Sequence, residues 1–369
     1  MDAPIAACGP FARPSRTTFT QEDKPMKINR VRQSLVRNIN AGLAVLLVGA
    51  PGVGKTDVVH EVARQTEREL LVSHPVVSDP TDAKGLPYPN KKGDAARFLP
   101  YGVMAQALSA TKPTLWFLDD LGQAAPAVQA AFMQLLLARR IDEHALPNCV
   151  TFVAATNRKQ DRAGVSGLLE PVKSRFVTIL EVEPDLDMWI DWALAKGLPP
   201  ELVAFLQFRG GDLFHKPNPT TELVNSPSPR TWHNLAKLLK AGAADDLKED
   251  KAGVLEELSG SVGKEAATEF VNFLEVAKDL PSLDDVLLYP DTARIPDEVS
   301  TLWVLASGLA SAATKTNFGA LSTYAGRMVQ QAYGEAAAFM VRKSIVLTPG
   351  ITQTAAYSRL LAGEVGALL

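Results

Sequence analysis

Residues 43–56 constrain this chain more than any other stretch. Leu43-Ala-Val-Leu-Leu-Val48 is an apolar run of strand length. Behind it stand Gly49, Ala50, Pro51, Gly52, Val53, Gly54, Lys55 and Thr56. Asp57-Val-Val-His-Glu-Val-Ala-Arg64 then has the spacing of an amphipathic helix start. The order is strand, G-x-x-x-x-G-K-[ST] loop, helix, the setting in which such a loop cradles phosphate. Its glycines let backbone N–H groups turn toward an anion, and the helix N-terminus adds partial positive charge. In that setting Lys55 reaches the β- and γ-phosphates and Thr56 offers its hydroxyl to Mg2+. A turn that only links a strand to a helix would need neither the lysine nor the threonine.

The bulk numbers leave room for this and exclude little else. A chain of 369 residues holds two or three domains and can bury a full core. A net charge of −3 with a pI of about 6.0 supplies no basic field of the kind nucleic-acid binders carry. Its two cysteines, Cys8 and Cys149, lie in no metal-ligand spacing. The first 25 residues are rich in Pro, Ser and Thr, read as a mobile tail, and lack the apolar centre of a secretory leader. No apolar run reaches membrane-spanning length, so the expectation is a cytoplasmic protein away from membranes.

Along the chain, Ile28, Val31, Leu35 and Ile39 predict a helix over 26–41, closed by Gly42. A helix over 57–69 and a strand over 70–77, with His74 inside it as packing, are expected next. The turn-rich stretch 78–93 reads as a functional loop or a short hairpin insert. Thr114-Leu-Trp-Phe-Leu118 followed by Asp119 and Asp120 describes a buried parallel strand that delivers two acids to a ligand crevice. A helix over 124–140 and a small hairpin over 141–148 precede the strand Val150–Thr156, which ends at Asn157. A short helix over 165–174, Arg175 and a strand over 176–182 complete five parallel strands with helices on both faces, an α/β domain over 26–183.

From Pro184 the pattern turns helical: 185–196, 200–208, and 229–241 with Arg230 in its first turn. A cation there is poorly placed for its own helix dipole, which favours a task elsewhere. The expected division is a tail over 1–25, the α/β domain over 26–183, a helical lid over 184–244 and an all-α region over 245–369. In the last, amphipathic segments are expected near 262–279, 298–312 and 319–342. Trp189, Trp192, Trp232 and Trp303 fall on helical stripes and read as core.

Taken in order, the phosphate loop 49–56, the acid strand 115–120, Thr156-Asn157, Ser174-Arg175-Phe176 and Ser228-Pro229-Arg230 resemble the AAA+ ATPases, in particular the MoxR-like and dynein-related branch. The likeness spans about 26–241, with Thr81–Gly85 and Leu121-Gly-Gln-Ala-Ala-Pro similar to further family segments. It implies a site for ATP and Mg2+ in which Gly49 through Asp57 hold nucleotide, Thr56 and Asp119 hold the metal, and Asp120 polarises water. Asn157 would sense water or γ-phosphate, Arg230 would act in cis from the lid, and Arg175 would act in trans. It further implies a hexameric ring that remodels a partner protein, often one bearing a von Willebrand factor A domain. The inserts near 83–99 and 141–148 fall where that branch carries a pore-side insertion and a hairpin. Asp120 departs from the glutamate usual in the family and has one methylene less reach.

Two other functions are open to such a sequence. One is a nucleic-acid motor, against which stands the scatter of Lys91-Lys92, Arg139-Arg140 and Arg158-Lys159 without interleaved aromatics. The other is a nucleotide-dependent switch with slow turnover, motivated by Asp120. Asn157-Arg-Lys-Gln-Asp161 superficially resembles a guanine-reading motif, but its spacing is wrong.

Overall fold

A computed structural model describes residues 26–141, 144–161, 167–218, 223–277 and 280–369. The expected tail over 1–25, Cys8, the tip of the 141–148 hairpin and the start of the 165–174 helix lie outside the described residues.

The chain opens with β1 (Met26–Lys27), α1 (Ile28–Asn40), β2 (Val45–Val48), α2 (Lys55–Gln65) and β3 (Glu69–Ser73). Next come α3 (Thr81–Lys84), the hairpin β4 (Leu86–Pro89) and β5 (Ala96–Leu99), α4 (Gly102–Leu108), β6 (Thr114–Leu118) and α5 (Pro126–Ala138). A second small hairpin, β7 (Arg140–Ile141) and β8 (His144–Ala145), leads to β9 (Val150–Thr156), α6 (Glu170–Lys173) and β10 (Thr178–Glu183). The main sheet runs β1-β10-β2-β9-β6-β3, with every pairing parallel. It has one strand more than the five expected. Met26 and Lys27, assigned to a helix from sequence, pair instead with Val182 and Glu183 at the sheet edge.

The period of two along each strand divides the sheet into two cores. Leu46, Trp116, Leu118, Phe152 and Ala154 face α4 and α5, where Met104, Phe132 and Leu135 meet them. Val45, Leu47, Leu115, Phe117, Val153 and Ala155 face α1 and α2, against Val31, Leu35, Ile39, Val58, Val59 and Val62. Central strands buried on both faces have no polar alternation, which is why β6 and β9 read as unbroken apolar runs.

Several boundaries depart from the sequence expectation for local reasons. The helix expected to 69 stops at Gln65, and Glu67 takes a left-handed backbone at φ 52 before β3 begins. The strand expected over 70–77 ends at Ser73, because Pro75 cannot donate to the ladder and starts a 3-10 turn over Pro75–Val77. His74 therefore stands beyond the strand and is exposed.

The remainder is helical: α7 (Leu186–Ala195), α8 (Pro200–Arg209), α9 (Pro229–Lys240), α10 (Lys251–Val262), α11 (Lys264–Val276), α12 (Leu283–Leu288), α13 (Val299–Ser311), α14 (Phe318–Gln330), α15 (Gly334–Leu347) and α16 (Ala355–Leu361). The segment expected over 319–342 is two helices, parted where Ala332 adopts φ 67. Helix α10 was not expected; Gly253 and Gly260 weaken its helical signal, and Asp250 caps it by accepting from Gly253 N at 2.8 Å. Trp189, Phe205, Trp232, Phe270, Trp303, Tyr324 and Met340 belong to one apolar cluster that draws on helices from α7 to α16. The boundary expected at residue 244 falls inside that shared core. Among the described residues no helix is long and apolar enough to cross a membrane.

Candidate active site

The strand order decides which loops meet. β2 lies between β10 and β9, and β9 lies beside β6. Their C-terminal ends therefore bring the glycine loop, Asn157 and the Asp119–Asp120 pair to one edge of the sheet, the edge where parallel α/β sheets bind ligands. Gly49 N donates to Thr156 O at 3.3 Å, tying the end of β2 to that of β9, and Asp119 N donates to Ser73 O at 2.9 Å, tying the end of β6 to that of β3.

Two positions of the loop are restricted to glycine. A Cβ on Gly49 would sit 2.6 Å from Val182 O on the neighbouring strand. Gly52 has φ +76, and a Cβ there would press on Ser228 Oγ at 2.9 Å. Lys55 begins α2 and turns back into the loop. Its Nζ donates to Gly49 O and Ala50 O at 2.9 Å each and to Asn157 Oδ1 at 2.7 Å. Thr56 Oγ1 donates to Asp119 Oδ2 at 2.9 Å, and Asp119 Oδ1 accepts Asp120 N at 3.1 Å. Asn157 Nδ2 reaches Asp120 Oδ1 at 3.4 Å, so the amide bridges the lysine and the second acid. Asp120 holds a left-handed backbone at φ 56, a conformation Asp tolerates better than most residues but one that still stores strain.

Burial sets the electrostatics. It lowers the Lys55 ammonium to about 8; Asp120 and Asp119 oppose that shift, and Arg230 adds to it. The Asp120 carboxyl is raised, first by burial and then by the neighbouring Asp119 charge, against the pull of Lys55, Arg230 and His74. Arg230 and His74 are thus close enough to act on the pair. Arg230 comes from α9, whose N-terminus is fixed by a capping box between Ser228 and Thr231, and its own N–H donates to Gly52 O at 3.3 Å.

A pocket of about 560 Å3 opens here, lined by residues 51–57, Asp119, Asp120, Asn157 and Arg230, and further out by Met188, Trp189, Trp192, Phe214 and His233. Lys55, Thr56, Asp57, Asp119, Asp120, Asn157 and Arg230 are brought together. Gly49 and Ala50 contribute the carbonyls that hold Lys55. Arg175 is not among the lining residues. It precedes β10, which runs parallel to β2, so it lies at the opposite end of the sheet from the glycine loop. Its buried Nε has no hydrogen-bond partner.

Three features were not read from sequence. Trp192, expected in the core, is 38% exposed in the pocket, whereas Trp232 is fully buried. His74 stands beside Asp120 because β3 and β6 pair Ser73 with Leu118; a histidine directly after a strand next to an acid strand was the available signal. Arg158 pairs with Asp161 through Nε at 3.0 Å and with Glu181 through Nη1 at 3.1 Å, clamping the segment after Asn157. Asp161, the residue that suggested a guanine reader, is occupied by that clamp.

The oxygen donors Thr56 Oγ1 and Asp119 Oδ2 suit a hard divalent cation such as Mg2+, which retains water and takes phosphate oxygens beside few protein ligands. Among the described residues no cluster of three or more His, Cys, Asp or Glu side chains could hold a metal on its own.

Residues 44–176 match the AAA domain of the dynein-related subfamily. This stretch is similar to an AAA domain. A curated relative, the bovine (Bos taurus) ATPase family gene 2 protein homolog B, is 36% identical over 102 residues, 28% of this chain. The match spans only 12% of that relative's length. Among solved structures, the Thermotoga maritima RuvB Holliday junction branch migration motor is 18% identical, covering 76% of this chain and 81% of that chain, with a TM-score of 0.37. Brucella abortus NtrX in complex with ATP is 12% identical, covering 92% of this chain and 68% of that chain, with a TM-score of 0.41. Strand β10 and the helices from α7 onward lie beyond the matched residues.

Proposed function

We propose that the chain is a MoxR-like AAA+ ATPase that hydrolyses ATP with Mg2+ in a homo-oligomeric ring, expected to be a hexamer, and uses the cycle to remodel a partner protein in the cytoplasm. The observation that carries this reading is the separation of Arg175 from every other candidate residue. Lys55, Thr56, Asp119, Asp120, Asn157 and Arg230 share one pocket, while Arg175 lies at the far end of the sheet with a buried, unpartnered Nε. A strand such as β10, six residues long, spans roughly 20 Å at about 3.3 Å per residue, too far for an arginine to reach its own chain's phosphates. An arginine of that kind suits a neighbouring subunit's nucleotide.

In this mechanism the residues divide the work by position. Lys55 leaves the loop carbonyls for the β- and γ-phosphates, where its charge is needed. Asp120 accepts a proton from water as the water oxygen bonds to the γ-phosphorus and the bond to the β-phosphate oxygen breaks. Asn157, bridging Lys55 and Asp120, orients that water. Mg2+, held by Thr56 and Asp119, would supply charge neutralisation at the β- and γ-oxygens. Arg230 adds positive charge in cis and Arg175 in trans; an arginine finger contributes about 10³–10⁵ in rate. The helices over 184–244 would act as the lid that carries Arg230, with 245–369 packed behind it. The partner is expected to be a protein, a von Willebrand factor A domain protein among the candidates.

Mixing inactive Arg175→Ala subunits with inactive Lys55→Ala subunits tests the shared site. Phosphate release should reappear in mixtures, because a wild-type Arg175 then meets a wild-type phosphate loop. No recovery at any ratio would refute action in trans. A slow-turnover switch is favoured by one observation, the short reach of Asp120 and its contact with Asn157 at 3.4 Å. Ring assembly driven by a non-hydrolysable ATP analogue, without phosphate release from ATP, would select that reading.

A further inference from the structure

The pocket has two chemically distinct ends. One is the phosphate end described above. The other is walled by Ile28 of α1, by Met188, Trp189 and Trp192 of α7, by Phe214, and by His233 of α9. Met188 and Trp192 stand four residues apart and so share one face of α7, while Arg230 and His233, three apart, share one face of α9. The side of α9 that sends Arg230 to the phosphate end thus sends His233 to this wall.

Trp192 is unusual among the five tryptophans. It is 38% exposed, while Trp116, Trp189, Trp232 and Trp303 are all buried. Its ring is nevertheless braced. His233 meets it edge-to-face, with centroids 5.0 Å apart and planes at 89°, and Trp189 lies 6.0 Å away at 48°. Burial also keeps the His233 imidazolium disfavoured, so the brace is a neutral ring. A large aromatic surface that is open to a cavity yet held in orientation is what a planar ligand needs. The nearby Arg32 is committed to Glu61 at 2.6 Å and Asp185 to Lys27 at 3.1 Å, while Arg64 and Lys196 also border the pocket.

We propose that Trp192, braced by His233, is the stacking face for the nucleotide base, and that it favours purine over pyrimidine nucleotides through ring area. The inference rests on the reading of residues 49–57 as the triphosphate site. A fused two-ring base covers more of the indole than a single ring, and base-on-aromatic stacking is sensitive to that overlap.

Equilibrium binding of ATP, CTP and inorganic tripolyphosphate to the full chain tests it, with tryptophan emission as a second readout. Trp192→Ala should weaken ATP on the order of tenfold, the scale of one lost stack, and leave tripolyphosphate unaffected. The wild-type preference for ATP over CTP should collapse toward parity in that variant. Trp192→Phe should restore most of the ATP affinity and of the preference, and should remove the emission change on binding. Unchanged ATP affinity in Trp192→Ala, or a parallel loss of tripolyphosphate binding, would overturn the stacking role while leaving the phosphate site standing. If wild-type chain takes up neither ATP nor tripolyphosphate, the phosphate-site reading fails and the stacking proposal falls with it.

Discussion

Lys55 shows at the residue scale how burial tunes this pocket. Its Nζ is held by two loop carbonyls and Asn157, and it titrates near 8 because burial outweighs the attraction of Asp120 and Asp119. A triphosphate favours the charged form, so binding should take up a proton above pH 8. ATP affinity is therefore expected to fall as pH rises from 8 toward 10, by up to about tenfold per unit. Folding stability should move the opposite way. The unfolded lysine keeps its proton up to its ordinary value of 10.5, so between 8 and 10.5 the unfolded state binds more protons and the Lys55 contribution to stability rises with pH. Titration calorimetry for binding and urea melts for stability, each compared with Lys55→Met, check both slopes. Loss of neither slope in the variant would mean that another group is responsible.

Elements end where the backbone, more than the side-chain pattern, dictates. Helical character is expected straight through residues 319–342, yet Ala332 takes φ 67 and splits α14 from α15. A left-handed alanine costs about 1 kcal/mol or more, and glycine does not carry that penalty. Ala332→Gly is expected to stabilise the helical part by about 1 kcal/mol, because the exposed position loses no packing. Denaturation midpoints read by circular dichroism would show it, and a decrease in stability would mean that the left-handed turn is not retained in solution. The opposite device works at α9. The sequence placed only a helix N-terminus near Arg230; the fold showed its Ser228–Thr231 capping box and that the same turn rests on Gly52.

Across the whole molecule, the apolar interior is divided. The sheet carries two cores on its faces, and the helices from α7 onward carry a third with its own aromatics. Trp232 is fully buried in the helical core, with Nε1 donating to Leu213 O at 3.0 Å, whereas Trp116 stacks on Phe152 in the sheet core. Trp232→Ala should cost about 3–5 kcal/mol, felt mainly by the helical part. Hydrogen exchange should then show faster opening of α8, α9, α11 and α13 with β6 and β9 still protected. Equal loss of protection in both parts would mean one cooperative unit. The polar contacts between the parts at the pocket, Arg230 N to Gly52 O among them, give nucleotide a way to couple them.

By itself the sequence determined the strand–loop–helix at 43–64, the acid strand, the order of the α/β elements and the helical character of everything after Pro184. These are local signals: period, glycine spacing and charge at strand ends survive in one dimension. Tertiary structure decided what lies across the pocket from what. The sixth strand at Met26–Lys27 exists only because β10 offers an edge to pair with. Trp192 and Trp232 sit on similar helical stripes, and only tertiary packing leaves Trp192, against His233 of α9, open to the pocket and closes Trp232, against Phe205 of α8, into the core. His74 gained its place near Asp120 from the pairing of β3 with β6, whose partners Ser73 and Leu118 are 45 positions apart in the chain. Long-range pairing fixes such neighbours, and no local window of sequence carries it.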